Sequence, residues 1–189
     1  EKERCSKAIK LAEGGIKVAL ISSGESGFYG MAGLLLELLQ KIKKEYRPYF
    51  EVHPGISSVQ LAAALSGAPL MNDFCSISLS DKLTPWPLIE KRVEGAIVGD
   101  FVIALFNPQS IERNWQLKSV IDICLKSRHG DTPVLLARQV GRENQSKKFF
   151  SLNTIPFKEI DMLSIIIIGN SQTTLVDEIF LTPRGYLQN

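Results

Sequence analysis

The sequence is poor in the residues that react or hold metal. Its 189 residues carry three cysteines, Cys5, Cys75 and Cys124, and two histidines, His53 and His129. The cysteines lie too far apart to form a metal-ligand pair, and an odd number does not make a disulfide framework. A reducing cytoplasm is the simplest setting, and no metal site is expected. No excess of one charge is present: 22 basic residues stand against 20 acidic ones, and they are interspersed. That pattern lacks the clustered basic face of a nucleic-acid binder. No apolar run is long enough to span a bilayer, and the longest, Ile165 to Ile168, is strand-sized. The charged start, Glu1 to Lys10, does not read as a signal peptide. Internal repeats and low-complexity tracts are lacking.

What is there is an ordinary globular composition, 44% hydrophobic and 22% charged, in a chain long enough for a buried core. The elements mostly alternate. Lys7 to Ala12 reads as the end of a helix closed by Gly14-Gly15, and Val18 to Ser22 as a short apolar strand. Met31 to Lys44 has apolar residues at helical spacing, and the basic run Lys41, Lys43, Lys44 and Arg47 suits a solvated helix end. Tyr49 to His53 is a second strand, broken by Pro54-Gly55, and Ser57 or Ser58 caps the next helix, to about Leu65. This rhythm predicts α/β architecture with a parallel sheet in the N-terminal part.

Gly67-Ala68-Pro69 interrupts the pattern, which places a domain boundary between 1–68 and 69–189. Beyond it, strands are expected at Cys75 to Ser80, Asp100 to Phe106, Pro133 to Arg138, Phe149 to Asn153 and Ile165 to Ile168. Helices are expected at Leu88 to Val98 and Trp115 to Lys126. More strands per helix imply a mixed sheet in the C-terminal domain. The chain also opens inside a helix with no strand before it, so the first strand and loop of a doubly wound unit are expected to be missing from it.

In such sheets ligands bind beyond the C-terminal strand ends. Four loops follow strands: Ser22 to Gly30, with three glycines; His53 to Ser58; Leu105 to Pro108; and Ala137 to Glu143. Small residues let the backbone approach a ligand, and Glu25 is able to accept hydrogen bonds from a ribose or amino group. Each loop also has a plain structural reading, as a strand-to-helix turn or a cap.

Taken together, the loops resemble those of the tetrapyrrole methylase family. Ser22 to Gly30 looks like its GGDPxxYG signature and Pro54-Gly55-Ile56-Ser57-Ser58 like its PGxSS element. Tyr29 to Gly33, Gly67 to Phe74, Ile77 to Trp86, Phe106 to Pro108, Val140 to Glu143 and Thr182 to Tyr186 are similar to the branch of that family acting at ring carbon 17. The resemblance implies a two-domain enzyme, usually a homodimer, with S-adenosylmethionine folded in the cleft between domains. The macrocycle, precorrin-3B or its cobalt-loaded counterpart, stacks in an adjoining trough, and ring contraction accompanies methylation.

Carried over by position, Ser23, Gly24, Glu25, Phe28, Ser57, Ser58, Asn107 and Gln139 would contact the cofactor. The family usually has Asp-Pro where this chain has Glu25-Ser26, which lengthens the carboxylate arm and frees the loop. Methyl transfer from a sulfonium needs alignment rather than a covalent nucleophile, so Cys75 and Cys124 read as core. Ring contraction needs proton transfers, for which Asp81 and Glu143 are the loop acids in place. Lys82, Arg113, Arg138 and Arg142 are candidates for the macrocycle's carboxylates, because Arg offers a bidentate fork. His53 and His129 read as structural or solvated. Another member of the same family, and a nucleotide-binding module without catalysis, are the alternatives.

Overall fold

The computed structural model describes residues 1–187. The chain divides into two compact units, Glu1–Ser57 and the residues from Ser58 onward. The first unit holds helices α1 (Lys2–Glu13) and α2 (Met31–Leu39). They pack together, burying Cys5 and Ile9 on α1 and Met31, Ala32 and Leu39 on α2. Gly14 and Gly15 end α1 as expected, Gly15 taking the left-handed φ of 81°.

Three local expectations fail in this unit. Val18 to Ser22 and Tyr49 to His53 form no strand. A strand exists through its ladder, and neither segment finds one inside the unit; Ile21 and Tyr49 are 77% and 87% exposed. Helix α2 also stops at Leu39, short of Lys44. Lys41 and Ile42 close tight turns onto Leu38 and Leu39, and the Arg47 guanidinium donates to the Ile42 carbonyl. The lysine run therefore lies past the helix end, exposed in a turn and a short 3₁₀ segment.

The second unit contains α3 (Ser58–Ser66), α4 (Trp86–Val98) and α5 (Gln116–Leu125). Its strands are β1 (Gly67–Ala68), β2 (Phe74–Ser78), β3 (Val102–Phe106), β4 (Pro133–Arg138), β5 (Ser146–Ser151), β6 (Ser164–Ile168), β7 (Thr174–Val176) and β8 (Ile179–Leu181). Five of them form a sheet in the order β2-β3-β6-β4-β5. The pair β2–β3 is parallel, while β6 runs antiparallel to both β3 and β4. The sheet is mixed, as expected, and β2, β3 and β4 all point the same way.

Alternation along the strands distributes the core. Ile77, Leu79, Ile103, Leu105, Leu136, Ile166 and Ile168 face the buried side of α4 and α5, including Ile89, Val93, Leu117 and Val120. Helix α3 packs on β5 and β6 with Val59 and Ala62 buried. With cover on both faces, β6 is apolar at every isoleucine, and burying each contributes about 1.5–3 kcal/mol. A second sheet, β1-β8-β7, joins β1 to β8 in parallel. Its β7–β8 hairpin was not expected from the sequence. The turn residues Asp177 and Glu178 take φ of 50° and 60°, where hairpins usually place Asn or Gly.

Candidate functional site

In the first unit the glycine loop folds against the Pro54-Gly55 segment. Gly24 has a φ of 71°, and a Cβ on Gly55 would collide with the Gly24 carbonyl oxygen. Gly30 is equally confined: a Cβ there would sit 2.5 Å from the Ser26 carbonyl oxygen. Only glycine permits such contact between two backbones. The loop closes on itself through the Phe28 amide to the Glu25 carbonyl at 3.2 Å and the Ala32 amide to the Ser26 carbonyl at 3.0 Å. Ser26 Oγ reaches the His53 carbonyl at 3.4 Å. The Glu25 carboxylate lies beside Gly27, where a Cβ would be 3.3 Å from Oε2. Gly24 and Glu25 thus lie against Gly55, with Ser23 and Phe28 in the same loop. Ser57 is buried, and Ser58 opens α3 in the other unit.

In the second unit the chemistry collects at one sheet edge. Because β2, β3 and β4 are co-directional, Asp81, Asn107 and Gln139 follow strands that end on the same side. Asn107 and Gln139 each take a φ of 51°, a conformation that side-chain-bearing residues rarely adopt and that concentrates at functional loops. Asn107 Nδ2 donates to Ser78 Oγ at 2.9 Å, tying the end of β3 to the end of β2. The Gln139 amide donates to the Leu163 carbonyl at 3.0 Å, and its carbonyl accepts from the Arg142 amide at 3.0 Å.

Arg113 is buried, 7% exposed, and its Nη1 donates to the Leu79 and Asn107 carbonyls at 3.2 Å each. It therefore clamps the two strand ends, with Nη2 against Met162 Sδ. Arg138 makes a fork to one oxygen of Asp161, Nε at 2.9 Å and Nη2 at 2.7 Å. Burial pushes the Asp161 carboxyl up. The hydrogen bonds from Arg138, Ser164 and the Leu163 amide outweigh that and hold it below the usual carboxylate range. Both arginines are thus engaged with the protein. Lys82, Arg142 and Glu143 are exposed, and their side chains make no hydrogen bond or ion pair among the described residues.

Asp81 is half-buried and accepts a 3.0 Å bond at Oδ2 from Gln116 Nε2. Gln116 carries no signal in the sequence, because it precedes Leu117 and Val120 on an apolar helix face and looks like helix filler. Asp161 was overlooked for a similar reason, as a loop acid with no motif around it. Burial pushes the Cys75 and Cys124 thiols up to about 11 despite the charge of Arg128, so neither is a nucleophile at neutral pH. All three cysteines are free. Among the described residues no cluster of His, Cys, Asp or Glu is able to hold a metal ion, and no helix is long and apolar enough to cross a membrane.

These glycine-cradled loops and left-handed strand ends lie within residues 1–156, which match the tetrapyrrole (corrin/porphyrin) methylases, and the chain belongs to that family. Within that methyltransferase family its relatives are specific. It is 47% identical over 186 residues to a probable cobalt-factor III C(17)-methyltransferase of Salmonella typhimurium, covering 98% of this chain and 76% of that one. A precorrin-3B C(17)-methyltransferase of Sinorhizobium sp is 34% identical over 192 residues, again covering 98% and 76%. A cobalt-factor III methyltransferase of Priestia megaterium is 47% identical, but the match spans only 35% of its length. The crystal structure of the methyltransferase CobJ superposes with a TM-score of 0.91 at 35% identity, covering 97% of this chain and 77% of that one.

Proposed function

We propose that the protein is an S-adenosylmethionine-dependent C-methyltransferase acting at ring carbon 17 of precorrin-3B or its cobalt-loaded counterpart, with ring contraction, in cobalamin biosynthesis. The observation that carries this reading is the pair of left-handed residues, Asn107 and Gln139, at co-directional strand ends. They occur in a chain 47% identical to an enzyme named for that carbon. The glycine cradle fits a nucleotide-like ligand, because Gly24 and Gly55 expose backbone with no side chain in the way.

S-adenosylmethionine supplies, when bound, a methyl group on a cationic sulfonium. The residues proposed to hold it, carried over from the family's motifs, are Ser23, Gly24, Glu25, Phe28, Ser57, Ser58, Asn107 and Gln139. Their task is alignment, which can contribute several kcal/mol to a displacement of this kind. Lys82 and Arg142, exposed and unpaired, are the cations proposed for the macrocycle's carboxylates. Arg113 and Arg138 would contribute to that binding through the loops they fix. Asp81 and Glu143 are proposed for the proton transfers. A domain boundary after residue 68, at the turn into the mixed sheet, is proposed on the sequence pattern beside the compact division at Ser57, and the protein is proposed to be a cytoplasmic homodimer.

The test is calorimetric titration with S-adenosylhomocysteine, followed by a methyl-transfer assay on precorrin-3B and its cobalt counterpart. Binding that is lost in Gly24→Val, with methyl transfer to one of the two macrocycles, supports the reading. A folded protein that binds no S-adenosylhomocysteine overturns it.

A further inference from the structure

Gln116 is the first residue of α5 and only 2% exposed. It lies on the helix face that also buries Leu117, Val120 and Cys124. An amide in that position is a poor choice for packing. Its Oε1 is buried and has no hydrogen-bond partner, which leaves a polar atom with its desolvation cost uncompensated. An apolar side chain of the same size would avoid that cost. The one thing the amide does is donate from Nε2 to Asp81 Oδ2.

The other half of the pair is equally lopsided. Asp81 Oδ2 is held by Gln116, while Oδ1 accepts no hydrogen bond from any described residue. The carboxylate is fixed by one oxygen and open at the other. The surroundings reinforce this placement. Trp86, which begins α4, meets Trp115, the residue before Gln116, edge to face with centroids 4.7 Å apart. Arg113 fixes the Leu79 carbonyl two residues before Asp81. The loop bearing Asp81 is therefore braced at both its ends against the segment that bears Gln116.

We propose that Gln116 is a positioning residue that holds Asp81 as the acid–base group of ring contraction, at a cost in fold stability. The inference rests on the function proposed above and adds the residue that orients the carboxylate. In the step assigned to it, Asp81 Oδ1 takes one proton from the macrocycle. That proton leaves a hydroxyl of the macrocycle, whose O–H electron pair becomes the second bond of a carbonyl; one ring C–C bond shifts with its pair to the adjacent carbon, and the C–O pair displaced there leaves on an oxygen that accepts the returned proton. The neutral acid later returns that proton, and the protein is unchanged.

The opposed effects on stability and rate make the inference testable. Gln116→Met and Gln116→Leu, Asp81→Asn and the Asp81→Asn/Gln116→Met double variant are compared with the wild-type protein. The measurements are urea unfolding, S-adenosylhomocysteine binding, and kcat and KM for formation of the contracted product across pH. Each Gln116 variant is expected to keep or raise its urea midpoint and to bind S-adenosylhomocysteine within about twofold of wild type. Each is also expected to lose about 10–100-fold in kcat. Asp81→Asn should remove one limb of the pH profile, and the double variant should be no slower than Asp81→Asn alone, because the two residues act as a unit. The inference is overturned if both Gln116 variants keep kcat within about twofold, if their loss follows the loss of folded protein, or if the two single effects multiply. A wild type that binds S-adenosylhomocysteine and transfers methyl without any sensitivity to Gln116 removes this inference alone. A folded wild type that binds none removes the proposed function with it.

Discussion

Asn107 and Gln139 stand in the same left-handed conformation, φ 51° each, one residue past β3 and β4. They reach it at different cost. Asn107 is of a type that tolerates this region and uses its amide to bond Ser78 Oγ, whereas Gln139 has no such local excuse. Gln139→Gly is therefore expected to raise stability by about 0.5–1 kcal/mol. Asn107→Gly should give no net gain, because the relief is offset by a lost hydrogen bond of about 1 kcal/mol. Urea unfolding of the two variants checks this. Both are expected to weaken S-adenosylhomocysteine binding, so Gln139→Gly would be more stable and less able to bind.

Glycine should divide by position rather than by number. Gly33 lies inside α2 with open space where a Cβ would go, so Gly33→Ala is expected to stabilise by about 0.5–1 kcal/mol. Gly55→Ala would drive a methyl group into the Gly24 carbonyl, and that backbone has to move. A lower melting temperature together with weakened S-adenosylhomocysteine binding is expected for Gly55→Ala. Unchanged binding would show that the loop contact has no part in the cofactor site.

The four candidate cations should separate cleanly. Arg113→Ala leaves the Leu79 and Asn107 carbonyls without their donor and is expected to cost at least about 2 kcal/mol. Lys82→Ala, at an exposed and unpaired residue, should change stability by less than about 0.5 kcal/mol and act only on macrocycle affinity. The readout is the urea midpoint beside KM for the tetrapyrrole. A Lys82→Ala protein with an unchanged KM removes Lys82 from substrate binding.

The buried thiols set the alkaline limit. Cys75 and Cys124 are pushed from the ordinary 9.0 up to about 11 by burial, so the native state holds their protons where the unfolded chain releases them. Their contribution to stability is complete below about pH 9 and is lost as pH rises toward about 11. Asp161 acts at the other end with the opposite sign. Its depressed value gives stability that is present above the usual carboxylate range and lost as pH falls through it. Unfolding followed from neutral to alkaline pH should steepen above about pH 9, less so in a Cys75→Ala/Cys124→Ala protein compared with its own neutral value.

Most elements of the second unit were legible because their signals are local. Pro133 to Arg138 matched β4 residue for residue, since an apolar run bounded by polar turns has few other solutions. The misses have a common cause in pairing. Val18 to Ser22 has strand composition, but a strand needs a neighbour, and sequence does not say whether one is at hand. The β7–β8 hairpin was hidden because Asp177-Glu178 lacks the residues that usually announce such a turn. The position of Asn107 at the end of β3 was readable from the sequence, as were the loops that follow β3 and β4. The engagement of Arg113, the Arg138–Asp161 fork and the role of Gln116 depend on what lies opposite each side chain, which no spacing encodes.

The sheet order has a consequence for how the chain is made. The strand β6 occupies the middle of the five, between β3 and β4, yet it follows both of them in the chain. During synthesis β3 and β4 leave the ribosome before the strand that joins them, with apolar edges waiting. At about 5–20 residues per second, the interval from β4 to β6 lasts seconds. The length of the stretch from 139 to 163 then sets how long β3 and β4 wait unjoined in a nascent chain.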